Sequence, residues 1–205
     1  MASGFLRTLI WSVGASCWLA LPAAASDVTA PIEQLDTGLL QVMKAGKAAP
    51  FQQRYNLVAP LVVRAIDLDA ILQGGVGPSW ASLSASEQTA LKNAFQQYSI
   101  ATYVAHFDEF KNERFELYAP AASSNPVVKV KIVPGNPGDA THVLGYTMRQ
   151  VGSAWKAIDV TADSEISQVV AQQAEIRSLV TRTGPTGLLA RLQQKTAELS
   201  GGTVK

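Results

Sequence analysis

Asp159 stands in the run "AWKAIDV", where strict alternation puts it on one face with Trp155 and Ala157 and opposite Ile158 and Val160. A carboxyl group set among apolar neighbours has its charged form disfavoured, which raises its pKa and suits it to general-base work. The same acid is equally available to pair with a strand lysine or to cap the turn that follows. His106, near the end of a predicted helix, and His142, near the start of a predicted strand, are the only histidines. A surface or structural role is the simpler reading for both. No H-x-x-x-H or comparable cluster supplies the three or four convergent ligands of a metal site, and no G-x-S-x-G is present. The stretch "LDAILQGGVGPSW" (68–80) is rich in glycine but is not a phosphate loop. A helix precedes it, it holds no lysine, and it does not match G-x-G-x-x-G. The spacing reads instead as a helix end and a turn that plants Trp80 against the body of the protein.

The elements that must position these residues fall into three blocks. Ile32, Leu35, Leu39, Leu40, Val42 and Met43 follow a helical period that stops at Gly46, and Phe51, Tyr55, Val58, Leu61, Val62 and Ile66 repeat it. Pro60 lies inside the second stretch, so it either kinks one helix or opens another. Asp67 is placed to cap a short helix ending at Gln73, with Gly74 or Gly75 as its C-cap. Ser84-x-x-Glu87 is a capping-box pattern that predicts the longest helix, reaching about His106, with Leu91, Phe95, Tyr98 and Thr102 on one stripe.

The period then changes to two in "RFELY", "VVKVKIV", "VLGYTMRQ" and "AWKAIDV", which predicts an antiparallel meander with one wet and one covered face. From Ile166 the helical period returns as far as Gly184, and a last helix follows in "TGLLARLQQKTAEL". Helices, strands, then helices again make an α+β fold, a helical layer packed on a curved, mainly antiparallel sheet of about four strands.

Residues 1–25 have the layout of a secretory signal: Arg7 at the start, an apolar stretch from Leu9 to Leu21, and Ala23-x-Ala25 before Ser26. Cys17, the only cysteine, falls inside it, so a chain cleaved there has neither disulfides nor thiol chemistry. Lipidation of Cys17 is disfavoured, because Gly14 stands where that signal carries an aliphatic residue. The full sequence has 17 basic and 16 acidic residues; losing Arg7 leaves the mature part formally neutral. Neutrality argues against nucleic acid as a partner and against permanent electrostatic attachment to an anionic membrane. Residues 26–200 suit one domain, and 201–205 read as a flexible tail.

"PFQQRYNLVAPLVVRAIDLDAILQGGVGPSWASLSASEQTALKNAFQQY", "VLGYTMRQVGSAWKAIDV" and "GPTGLLARLQQK" together resemble the MlaC / toluene-tolerance family of periplasmic phospholipid-binding proteins. The likeness extends from about Ile32 to Leu199 in order and spacing, and "F-x-x-R-Y" and "W-K-x-x-D-V" are its specific parts. "VGPSWASL" and "YVAHFDEF" look closest to the hopanoid-biosynthesis-associated, HpnM-type branch. The resemblance implies a periplasmic carrier that performs no chemistry, needs no cofactor or metal, and encloses an apolar cavity between helices and sheet. It also implies partners: a phospholipid or hopanoid ligand, an inner-membrane ABC transporter complex and an outer-membrane lipid complex. A monomer is the natural default for such a shuttle.

A lipid tail leaving a bilayer needs a dry pocket, since each buried methylene contributes about 0.8 kcal/mol. Leu61, Val62, Ile66, Leu72, Leu91, Phe95 and Tyr98 from the helices are the candidate lining, with Val130, Ile132, Leu144, Tyr146 and Met148 from the sheet. About half of these are expected to touch ligand, the rest being core, and the headgroup is expected to stay near solvent. The rival reading is a small cone-shaped α+β isomerase or hydrolase using Asp159 or His106, which requires a second polar group within hydrogen-bond reach inside the cavity. A two-lobed solute-binding protein is disfavoured by length.

Overall fold

The computed structural model describes residues 27–163 and 166–204; the predicted signal and Cys17 lie outside them. Five α-helices, α1 (Ala30–Ala45), α2 (Phe51–Ala65), α3 (Leu68–Val76), α4 (Ala85–His106) and α5 (Gln168–Ser200), accompany a sheet of β1 (Arg114–Tyr118), β2 (Val127–Val133), β3 (His142–Val151) and β4 (Ala154–Ala162) among the described residues. The strands pair antiparallel in the order β1-β2-β3-β4. The α+β architecture read from the change of period is the one observed.

Each helix buries the stripe its sequence sets out. On α1, Ile32, Leu35, Leu39, Val42 and Met43 are buried, and Gly38 lets α2 approach so closely that a methyl there would collide with Leu61. Pro60 does not split α2. Its ring is on the exposed side, where the lost backbone bond opens to water. On α4 the capping box is complete: the Glu87 N–H donates to Ser84 Oγ at 3.3 Å and the Ser84 N–H to Glu87 Oε2 at 2.8 Å.

Asp67 caps α3 by accepting from the Ala70 N–H at 3.1 Å, but the helix does not stop at Gln73. It runs through Gly74 and Gly75 to Val76, and Gly77 at φ 68° is the cap. The two glycines serve packing. A methyl on Gly75 would sit 3.0 Å from Ile176, and one on Gly74 would collide with Gln173, both on α5. With that close approach α5 completes the end of α3: Gln173 Nε2 donates to the Ile71 carbonyl and Arg177 Nη2 to the Gly74 carbonyl, each at 3.1 Å. A 3-10 turn over Gly77–Ser82 then carries Trp80, half-buried against the core, with Lys92 Nζ 6.0 Å from its ring centre.

On the covered face of the sheet lie Val128, Val130, Tyr146, Met148 and Ala157, all buried, with Phe115, Leu117, Leu144 and Val160 packed beside them. Lys129 points outward, and Lys131 stands opposite Glu116 in the strand register. The register of β3 and β4 slips between Thr147 and Met148: Thr147 faces Asp159 while Met148 faces Ala157, leaving Ile158 as the extra residue of a bulge.

In α5, Gly184 at φ 69° and ψ −177° breaks the helical path immediately before Pro185, so the element is two helices joined at a kink, and the sequence predicts two helices there. Gly201 ends it in the left-handed conformation. Beyond it Val204 folds back to be buried, its N–H donating to Ser200 Oγ at 3.1 Å.

Candidate functional site

A cavity of about 570 Å³ lies between the helical layer and the covered face of the sheet. Ligand pockets span roughly 300–1,000 Å³, so the volume is that of a binding site and not of a packing defect. Leu68 and Ile71 of α3, with Ile66 just before it, form one wall. Tyr98, Ser99, Thr102, Tyr103, His106 and Phe107 of α4 form a second, Leu144, Tyr146, Val160 and Ala162 of the sheet a third, and the first two turns of α5 a fourth. Polar side chains gather on the α5 wall, where Gln168, Gln172 and Glu175 stand toward solvent. A smaller cleft of about 30 Å³ adjoins it between α4 and α5 and shares Tyr98, Gln172 and Glu175 with it.

Of the residues the sequence offered as lining, Ile66, Tyr98, Leu144 and Tyr146 meet at this cavity. Val62, Leu72, Leu91, Val130 and Met148 are fully buried in the core around it, and Phe95 faces the smaller cleft. Leu61 packs between α1 and α2 beside Gly38, and Ile132 lies half-buried on β2. Sequence reasoning passed over Ile71, Val160, Ala162 and the start of α5. Ile71 and Leu72 are successive apolar residues on one short helix, and only the direction in which α3 packs decides between them. Val160 was readable as an inward residue only by anticipating the bulge.

That bulge also corrects the reading of Asp159. The extra residue at Ile158 breaks the alternation, so Asp159 pairs with Thr147 on the opposite side of the sheet from Ala157 and Tyr146. There it accepts from Ser167 Oγ at 2.5 Å, while Ser167 also caps α5 by accepting from the Val170 N–H at 2.8 Å. Asp159 therefore joins the end of β4 to the start of α5. His142 pairs with the Asp163 carboxylate at 2.5 Å on the surface, and this bond together with the Val143 N–H holds the Asp163 carboxyl below its ordinary range. His106 does reach the cavity, with Nδ1 2.8 Å from the Thr102 carbonyl of its own helix.

Behind the cavity, Tyr103 and Tyr146 extend toward Asp36 on α1. Burial, then the neighbouring Glu33, pushes the Asp36 carboxyl up to about 7. Burial likewise pushes the Tyr103 phenol up to about 12 and the Tyr146 phenol well above its ordinary value. Asp36 Oδ1 is buried without a hydrogen-bond partner among the described residues. Burial disfavours the charged form of a carboxyl group so placed, so its proton is retained well above the ordinary carboxylate range.

Helices on one side of a four-stranded antiparallel sheet, with an apolar hollow left between the layers, make this an α+β protein built around a ligand-sized cavity. The chain belongs to the MlaC family, whose profile, described as MlaC protein, matches residues 33–194. A solved structure of similar fold is the phospholipid-binding protein from Ralstonia solanacearum in complex with a phospholipid. It is 20% identical, with a TM-score of 0.71 over 85% of this chain and 99% of that one. At that identity the likeness is one of fold. A comparison with curated protein sequences found no match.

Proposed function

We propose that this protein is a periplasmic lipid carrier that holds the tails of a phospholipid or hopanoid in the cavity behind Tyr98 and Leu144. In this role it is the soluble component of an ABC-transporter-linked system, passing lipid between outer- and inner-membrane complexes as a monomer. The HpnM-type character of "VGPSWASL" and "YVAHFDEF" favours service to hopanoid-containing membranes. The observation that carries the reading is the cavity of about 570 Å³ walled by apolar side chains from α3, α4, β3 and β4. Membership of the MlaC family and the likeness in fold to a phospholipid-binding protein support it. The isomerase or hydrolase alternative loses its leading residue, since Asp159 lies on the other side of the sheet.

The test is mass spectrometry, native and after lipid extraction, of protein purified from the periplasm without detergent. Lipid at near one-to-one stoichiometry is expected, and a Val160→Trp variant, whose indole would fill part of the cavity, is expected to retain markedly less. Protein that is empty as purified and takes no lipid from vesicles would sink the proposal.

A further inference from the structure

Arg191 and Lys195 stand one helical turn apart on the second half of α5 and both border the small cleft beside the cavity. Most of the other partly covered cations have a fixed partner; Lys131 on β2, like Lys195, has no side-chain hydrogen bond or salt bridge among the described residues, but it stands alone and borders no cleft. Arg54 donates to the Ala49 and Val104 carbonyls, Lys156 to the Val63 carbonyl, and Lys92 pairs with Asp69. Arg191 donates only to Gln194 Oε1 at 3.1 Å, and Lys195 has no hydrogen bond or salt bridge among the described residues. Both side chains are half-buried, so each gives up part of its hydration without a fixed anion in return. The cleft they border, about 30 Å³, is too small for a lipid tail or a whole phosphate, so a group held by the two cations sits at its mouth toward solvent. It shares Tyr98, Gln172 and Glu175 with the main cavity, which puts the two cations at the edge of the space assigned to the tails.

We infer that Arg191 and Lys195 form a phosphate subsite, holding the headgroup phosphate of a lipid whose tails occupy the adjoining cavity. The inference rests on the carrier reading and adds to it a preference for phosphate-bearing lipids. An arginine fork matches two phosphate oxygens and a lysine supplies a point charge beside it. Glu175, on the rim common to both hollows, opposes a bare anion there and complements a headgroup that carries an amine next to its phosphate. The headgroup still faces solvent, in keeping with a rim site.

The experiment compares transfer from vesicles of a phospholipid and of a diacylglycerol with the same tails, for wild type and Arg191→Gln/Lys195→Gln. Loss of two charge-assisted contacts predicts phospholipid binding weaker by about tenfold or more, with diacylglycerol binding unchanged. A swapped variant, Arg191→Lys/Lys195→Arg, is expected to retain phospholipid binding. Unchanged binding of both lipids in the glutamine variant, or equal loss of both in a variant that melts normally, overturns the subsite and leaves the carrier standing. Wild type that takes neither lipid overturns the carrier itself. Inorganic phosphate supplies the last arm: it should perturb the Arg191 side-chain resonance of lipid-free protein and cease to do so once phospholipid is loaded. Phosphate binding that persists in the loaded protein assigns the site to the free anion and overturns the headgroup.

Discussion

Asp36 is the residue whose environment makes the sharpest demand on solution conditions. Its folded value of about 7 lies above its ordinary 3.8, so between those pH values the folded chain binds a proton that the unfolded chain has released. Stability from this group is therefore full below about pH 3.8 and is lost as pH rises through 7. At about 1.4 kcal/mol per unit, roughly three units amount to about 4 kcal/mol. Asp36→Asn keeps the shape and removes the titration. The variant is expected to match wild type in melting temperature at or below about pH 3.8, to exceed it increasingly as pH rises, and to gain no further above about pH 7. Parallel melting curves for the two proteins across that range would show that Asp36 does not hold a proton when folded. Glu33, Tyr103 and Tyr146 are the titratable groups that act on Asp36 or feel it, and none of them supplies a cation.

Among the elements, α3 and α5 are held together by the absence of side chains at Gly74 and Gly75. Gly75→Leu would force Ile176 away, at a cost of about 1–3 kcal/mol, and would open the wall that α3 and α5 share around the cavity. Ser84→Ala, which removes the capping box of α4 far from the cavity walls, costs about 1 kcal/mol. Both variants should melt earlier by chemical denaturation, but only Gly75→Leu should also weaken lipid retention. Equal retention in the two would show that the α3–α5 contact does not seal the site.

These elements also mark where the sequence stopped being legible. The change of period announced helices and strands, and the Ser84-x-x-Glu87 spacing announced a cap, because each is a local consequence of backbone geometry. Gly74 and Gly75 read as an ending because a glycine that terminates a helix and one that admits a neighbour look alike until the neighbour is known. The bulge at Ile158 was silent for a similar reason. It moves Asp159 to the outer side and Val160 to the inner one through a pairing with β3 that no residue of β4 declares. Of the lining candidates only Ile66, Tyr98, Leu144 and Tyr146 reach the cavity: an apolar stripe says that a face is covered, and whether by side chains or by a hollow depends on all four walls.

For the molecule as a whole, the hollow means that ligand contributes to folding stability. A carrier saturated at 100 times its dissociation constant gains about 2.7 kcal/mol, which for a chain of this length raises the melting temperature by roughly 5–10 °C. Delipidated protein is expected to melt lower by that amount and to recover on incubation with phospholipid vesicles. A melting temperature indifferent to lipid would show that the cavity is not where lipid binds.

The walls of the hollow are drawn from Ile66 at one extreme of the sequence and Glu175 at the other, and α5 comes last. During synthesis the chain appears from its N-terminal end. Helices α1 to α4 and the sheet can therefore collapse on one another while one side of the hollow is still missing, and α5 then closes it by docking Gln173 and Ile176 against α3. Lipid consequently cannot serve as a template for the early fold. On the carrier reading, a chain that ends before α5 is expected to retain no lipid, because one wall of the hollow is missing.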